Sequence, residues 1–195
     1  MSVISEFITD AEQEVKDLML LVKEANGLVA YYRRLLERLE LDSLTGLPGA
    51  NKYHDFTAGI TFHAKTAAVI FFDVNDLKYY NDTKGHHAGD LLLQKAAESL
   101  IGISGGNVHS FRLGGDEFVT VITNCIESDI DVWLVKWRDA LSELNKRDDG
   151  IHCSVAAGAA FGDVGYKLSD VLAVADKRMY EDKVKIKAAK GQIPR

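Results

Sequence analysis

Between Phe111 and Val121 the chain reads FRLGGDEFVTV, two β-prone runs broken by adjacent glycines and adjacent carboxylates. Phe111 and Leu113 alternate with polar neighbours, while Phe118, Val119, Val121 and Ile122 are the aromatic and β-branched residues that strands favour. The Gly114–Gly115 pair predicts a tight hairpin, because glycine reaches positive φ without steric cost. Such a turn commits the chain to a sheet with at least one antiparallel neighbour pair. It also leaves Asp116 and Glu117 at or just after the turn, where charge is out of place unless a cation meets it.

The flanking segments supply the rest of the sheet. LDSLTGLPGA (41–50) breaks whatever precedes it, through its proline and glycines. TAAVIFF (66–72) predicts a buried strand ending at Asp73, and a helix starts near Asn75, is interrupted around Gly85 and continues over 89–103. After the hairpin come an amphipathic helix over 129–147, a strand over 151–161 and a last helix over 168–187 with Ser169 as its N-cap. Strand, helix, hairpin, helix, strand is the order of a ferredoxin-like α+β antiparallel sheet with flanking helices. A chain of 195 residues can bury one such core and carry a separate helical appendage.

That appendage is the N-terminus. Ile8, Ala11, Val15, Leu18, Val22, Ala25, Val29, Tyr32, Leu36 and Leu39 step alternately by three and four, the 3.5-residue period of a coiled-coil seam. Leu21, Leu28 and Leu35 widen the stripe, and Gly27 lies off it at a cost of about 1 kcal/mol. Two arrangements cover such a face: a homodimer through a parallel coiled coil, or packing onto the chain's own globular part. The domains expected are therefore 1–41, a dimerisation helix, and 42–195, a globular unit.

Composition excludes several classes. A formal net charge of −6 argues against nucleic acid as a partner, although Lys177, Arg178, Lys183, Lys185, Lys187 and Lys190 make a local basic strip. No apolar run reaches the roughly 18 residues of a membrane span, and the acidic N-terminus is not a signal peptide. Cys125 and Cys153 lack metal-ligand spacing and lie in apolar runs, as reduced core residues of a cytoplasmic protein do.

If the first strand and the hairpin are neighbours, Asp73 and Asp116 meet at one rim of the sheet. Two carboxylates and a backbone carbonyl form the hard-oxygen cage that Mg²⁺ accepts; the bland alternative is that both acids face solvent. Downstream, DVNDLKYYNDTKGHHAGD (73–90) adds Lys78, suited to terminal phosphates, and Asn81 with Asp90, a donor and acceptor mix that can read a guanine edge. Lys183 and Lys187, four apart, share one face of the last helix.

With these motifs in view, RLGGDEF (112–118) resembles the characteristic loop of GGDEF-domain diguanylate cyclases. The resemblance runs from DSLTGLP (42–48) through FFDVNDLKYYNDTKGHHAGD to ADKRMYEDK (175–183), essentially the whole globular part. It implies a nucleotidyl-cyclase, palm-like fold and a reaction that condenses two GTP into cyclic di-GMP and two pyrophosphates. It further implies Asp73, Asp116 and the Val74 carbonyl as ligands of two Mg²⁺ per half-site, with Mn²⁺ able to substitute, and Glu117 as a catalytic acid near them. Asn81 and Asp90 match the guanine-reading pair, Lys78, Lys183 and Lys187 the cationic positions facing the triphosphate, and Gly114 and Gly115 let the backbone approach the nucleotide. Lys187 stands where many relatives have Arg. Arg112 and His86 fall on motif positions and are expected to buttress, and His87 to lie on the surface.

Two departures qualify the resemblance. LTGLPGA (44–50) replaces the family's LTGLPNR, losing a polar and a basic side chain, which favours as a second reading a weak or inactive domain that binds GTP or cyclic di-GMP in signalling. The window of the family's Arg-x-x-Asp product-binding motif reads GGNV (105–108), so no high-affinity product inhibition is expected at that surface. The remaining length has no room for a phosphodiesterase, receiver or ligand-sensing domain, so two readings stand: the chain is a fragment of a larger sensor protein, or it takes its signal from an upstream sensor or partner protein.

Overall fold

The computed structural model describes residues 3–191. The chain divides between Glu40 and Leu41 into two compact units. The first is one unbroken helix, α1 (Val3–Leu39), of 37 residues; Gly27 does not interrupt it. The seam residues Ile8, Ala11, Val15, Leu18, Val22, Ala25, Val29 and Tyr32 are exposed along it, as are Leu21, Leu28 and Leu35. The side chains of Leu36 and Leu39 lie outside the described residues. No helix among the described residues is long and apolar enough to cross a membrane.

The second unit runs α2 (Ala50–His63), β1 (Ala67–Val74), α3 (Leu77–Lys84), α4 (His86–Ile101), β2 (Val108–Gly114), β3 (Glu117–Thr123), α5 (Asp129–Leu144), β4 (Val155–Gly162), α6 (Leu168–Ala189). Its four strands form an antiparallel sheet in the order β2-β3-β1-β4, the ferredoxin-like arrangement. Strand alternation sends Ala68, Ile70, Phe72 and Val74 to the face covered by α4 and α5, where Leu92, Trp133 and Trp137 pack. Val69, Val119 and Val121 face the other way, onto Tyr53 of α2 and Leu168, Val171 and Ala175 of α6. Both cysteines are buried and free, and burial pushes the Cys153 thiol up to about 12, which leaves it inert.

Several local expectations are corrected. Helix α2 was not foreseen: Tyr53 and Phe56 are its main apolar anchors, stacking at 5.5 and 5.2 Å on Phe111 of β2, too few to write a period. The hairpin turn is Gly115–Asp116, one residue later than the glycine pair suggests, because Gly114 still pairs with Glu117 after a bulge following Arg112. β4 begins at Val155; residues 151–154 stay out of the ladder because side chains take their backbone groups. Tyr80 Oη bonds His152, and the Asn145 amide bonds both the N–H and the carbonyl of Cys153 at 2.8 Å. Lys167, not Ser169, precedes α6, and the Ser169 hydroxyl donates to Asp170 instead.

Two contacts position the functional elements. Gly158 of β4 lies so close under α6 that a β-carbon there would collide with the backbone of Ala175, Arg178 and Met179. The helix thus rests directly on the strand and carries its C-terminal half past the end of β1. At the turn, Arg112 Nη2 donates to the Gly115 carbonyl at 2.7 Å, Nη1 donates to Asp42 Oδ1 at 2.8 Å, and the Arg112 N–H donates to the Pro48 carbonyl. This is the buttressing role expected of Arg112. His86, by contrast, is exposed and its side chain makes no hydrogen bond among the described residues, so the structure gives it no such role; His87 is exposed as expected.

Burial works to raise the Asp42 carboxyl, but hydrogen bonds from Thr45 and Arg112 outweigh it and hold the group below the usual carboxylate range. An acid whose folded pKa is depressed contributes stability above its unfolded pKa and loses it as pH falls through the folded one. The stability gap between wild type and Asp42→Asn, from urea unfolding, is therefore expected to hold constant above about pH 4 and close below it. Gly158→Ala should cost about 2–3 kcal/mol in the same measurement, since helix backbone cannot yield as a side chain would.

Candidate active site

The rim of the sheet where β1 ends gathers the acids. Asp73 pairs with Glu117 across β1 and β3, and the Val74 N–H donates to the Asp116 carbonyl at 2.9 Å, so the ladder continues into the turn and draws Asp116 alongside. Asp73 is only 5% exposed, although it lies on the strand face that α6 covers. Its Oδ2 accepts from Lys183 Nζ at 2.6 Å, while Oδ1 is buried without a partner among the described residues. Burial, with the Asp116 charge adding to it, raises the Asp73 carboxyl above its ordinary value against the pull of Lys183 and Lys187. Glu117, though largely exposed, is also raised, by partial desolvation first and then by the Asp116 and Asp73 charges. Three carboxylates thus crowd one edge, and the cations facing them come from α6.

Beside them opens a cleft of about 610 Å³ lined by Val74, Asp76, Leu77, Lys78, Tyr79, Asp82, Asp116, Lys183 and Lys187. The start of α3 forms one wall, so its free backbone N–H groups point where an anion is favoured. Lys183 and Lys187 line it from α6, and the exposed Lys78 lines it from α3. A groove of about 450 Å³ along β4 and the start of α6 shares none of these residues.

Asn81 on α3 and Asp90 on α4 occupy adjacent helices joined at Gly85. A β-carbon at Gly89 would strike the Asn81 side chain and meet Leu77 Cδ1 at 3.1 Å, so the absence of a side chain at Gly89 leaves the Asn81 amide its room. Asp90 is exposed on α4, just past the helix's first turn. Gly114 and Gly115 are exposed with positive φ, and nothing lies within 4 Å of where their β-carbons would be, so the turn is open to a ligand. The structure therefore brings Asp73, Val74, Asp116 and Glu117 to one rim and Lys78, Lys183 and Lys187 to the cleft beside it. Asn81 and Asp90 stand on the neighbouring helix pair.

Two charged residues carry no site role in the sequence reading, although Asp76 lies in the 73–90 motif and Lys190 in the basic strip. Asp76, at the start of α3, adopts φ 65° and lines the cleft; Lys190 reaches across to it, Nζ to Oδ2 at 2.6 Å. The spacing of Lys183, Lys187 and Lys190 by four and then three is the signal that could have placed Lys190 on the same helix face.

Comparison with known proteins agrees with this geometry. The family model described as diguanylate cyclase, GGDEF domain, matches residues 39–188. Diguanylate cyclase DgcN of Escherichia coli is 38% identical over 111 residues, covering 54% of this chain and 26% of that protein. Cyclic di-GMP phosphodiesterase PdeB of Shewanella oneidensis is 26% identical over 196 residues, covering 91% of this chain and 23% of that protein. The chain thus spans about a quarter of the length of these relatives. Among solved structures, the coiled coil and GGDEF domain of DgcB from Caulobacter crescentus superimposes with a TM-score of 0.67 at 22% identity, over 85% of this chain and 94% of that one. With the family matched over most of its length and the fold shared, the chain belongs to the GGDEF-domain family of diguanylate cyclases.

Proposed function

We propose that the globular unit is an active diguanylate cyclase half-site, condensing two GTP into cyclic di-GMP and two pyrophosphates with a second copy of itself. The observation that carries this reading is the buried, unpartnered Asp73 Oδ1 beside Asp116, at the head of a lysine-lined cleft. Mg²⁺ takes one or two protein carboxylates and completes its shell with water and substrate phosphates. Asp73, Asp116 and the Val74 carbonyl would hold two such ions, or Mn²⁺ in their place. The ions would supply charge neutralisation at the attacking and leaving oxygens.

The protein's own residues do the rest. Lys183, Lys187 and Lys78 line the cleft and neutralise the triphosphate. The first turn of α3 offers N–H groups to the same phosphates. Asn81 and Asp90 read the guanine and fix its ribose in line. In the reaction the 3′-hydroxyl oxygen of one GTP bonds the α-phosphorus of the other, the bond to the bridging α–β oxygen breaks and pyrophosphate leaves. The hydroxyl proton passes to Glu117, whose raised carboxyl suits a proton acceptor, or to water.

One cleft holds one nucleotide, so two units must meet. The uncovered apolar stripe of α1 supports pairing through a parallel coiled coil, which would hold two half-sites at high effective concentration. A second reading, a domain that binds nucleotide without turnover, draws on the family members named phosphodiesterase and on Gly49–Ala50.

Incubation with GTP and Mg²⁺ followed by chromatography is expected to yield cyclic di-GMP, and GTP binding without product would select the second reading. Asp116→Ala is expected to lower turnover by at least about 10³-fold with the melting temperature nearly unchanged. Retained turnover in that variant would refute the metal role of Asp116.

A further inference from the structure

A carboxylate at the mouth of a phosphate cleft needs a reason. Asp76 begins α3 in the left-handed region, φ 65° and ψ 16°, which aspartate and asparagine tolerate better than other side chains. The backbone therefore accounts for the residue, but its charge is misplaced. It stands where the α3 N–H groups would meet a polyphosphate, and a carboxylate there repels the anion that the helix start attracts.

Lys190 cancels that charge. Its Nζ lies 2.6 Å from Asp76 Oδ2, with 37% of the lysine side chain and 26% of the aspartate side chain exposed. The contact exists because α6 continues without a break to Ala189, so that Lys190 follows Lys183 and Lys187 along the helix and overhangs the start of α3. Lys183 answers Asp73 in the same way, at the same distance. Asp73 and Asp76 are thus each matched by their own lysine from the end of α6.

We propose that Lys190 is a positioning residue for the triphosphate: by neutralising Asp76 it keeps the start of α3 receptive to phosphate. The proposal rests on the cyclase reading, and its test is separable from it. The full chain is titrated by calorimetry with Mg²⁺ and a GTP analogue carrying a methylene bridge between its α- and β-phosphorus atoms, which binds without reacting. Lys190→Ala is expected to weaken binding about fivefold at low salt and less at high salt, the scale of one partly exposed charge. Lys190→Arg should bind as wild type. Asp76→Asn, which keeps the backbone conformation, should restore binding in the Lys190→Ala background. In turnover, Lys190→Ala should raise KM for GTP and leave kcat unchanged. Equal affinity of wild type and Lys190→Ala, or failure of Asp76→Asn to restore it, overturns the proposal while the cyclase reading stands. A wild type that binds no analogue overturns both.

Discussion

Asp73 is a carboxylate at the end of a central strand with 5% of its surface exposed. Left alone, a charge so placed would cost several kcal/mol, or the group would simply take a proton. The neighbouring structure is arranged to prevent either outcome. Lys183 reaches it from α6, and α6 can lie there because β4 reads VAAGAAFG, small residues on which a helix backbone can settle. The Asp182 carboxylate accepts from the Ala157 N–H at 3.0 Å, and Arg178 donates to the Ala159 carbonyl at 2.7 Å, so α6 also occupies the outer edge of β4. An edge strand is thereby closed to other chains by the helix that serves the site.

The pairing of Asp73 with Lys183 is strong enough to fold around and incomplete enough to bind. One oxygen is satisfied and the other is buried with nothing to accept from. The Asp73 and Glu117 carboxyls are raised first by burial and then by the neighbouring Asp116 charge. The fold tolerates this local frustration because the rest of the sheet is packed on both faces, with Phe72 and Trp137 stacking at 4.8 Å and Phe111 meeting α2 on the far side. Relatives between 22% and 38% identical belong to the same family or share the architecture, so the frame survives wide change in sequence.

What could be read from the sequence were the features written in several residues at once. The hairpin of Phe111–Val121, the buried run ending at Asp73 and the three-and-four stepping of α1 all repeat a period, and each stands in the structure. Features that depend on one residue or on distant partners were illegible. Helix α2 is held by Tyr53 and Phe56 against a strand about fifty positions later, and no local pattern announces it. The turn slipped by one residue because a bulge after Arg112 absorbs a position, a feature of pairing rather than of composition. The acids and lysines of the site were found because each belongs to a spaced motif. Asp76 sits inside the 73–90 motif and Lys190 inside the basic strip, but their pairing became visible only through the contact itself.

Arg112 holds the carbonyl of Gly115 with one arm and the carboxylate of Asp42 with the other, across 70 residues of chain. Its own backbone N–H is fastened to Pro48, so the guanidinium is a short, stiff lever rather than a loose tether. Asp42 begins the globular unit just after the long helix ends. A tug on the chain at that point loads the charged hydrogen bond to Arg112, and through the guanidinium it reaches the carbonyl that sets the shape of the acidic turn.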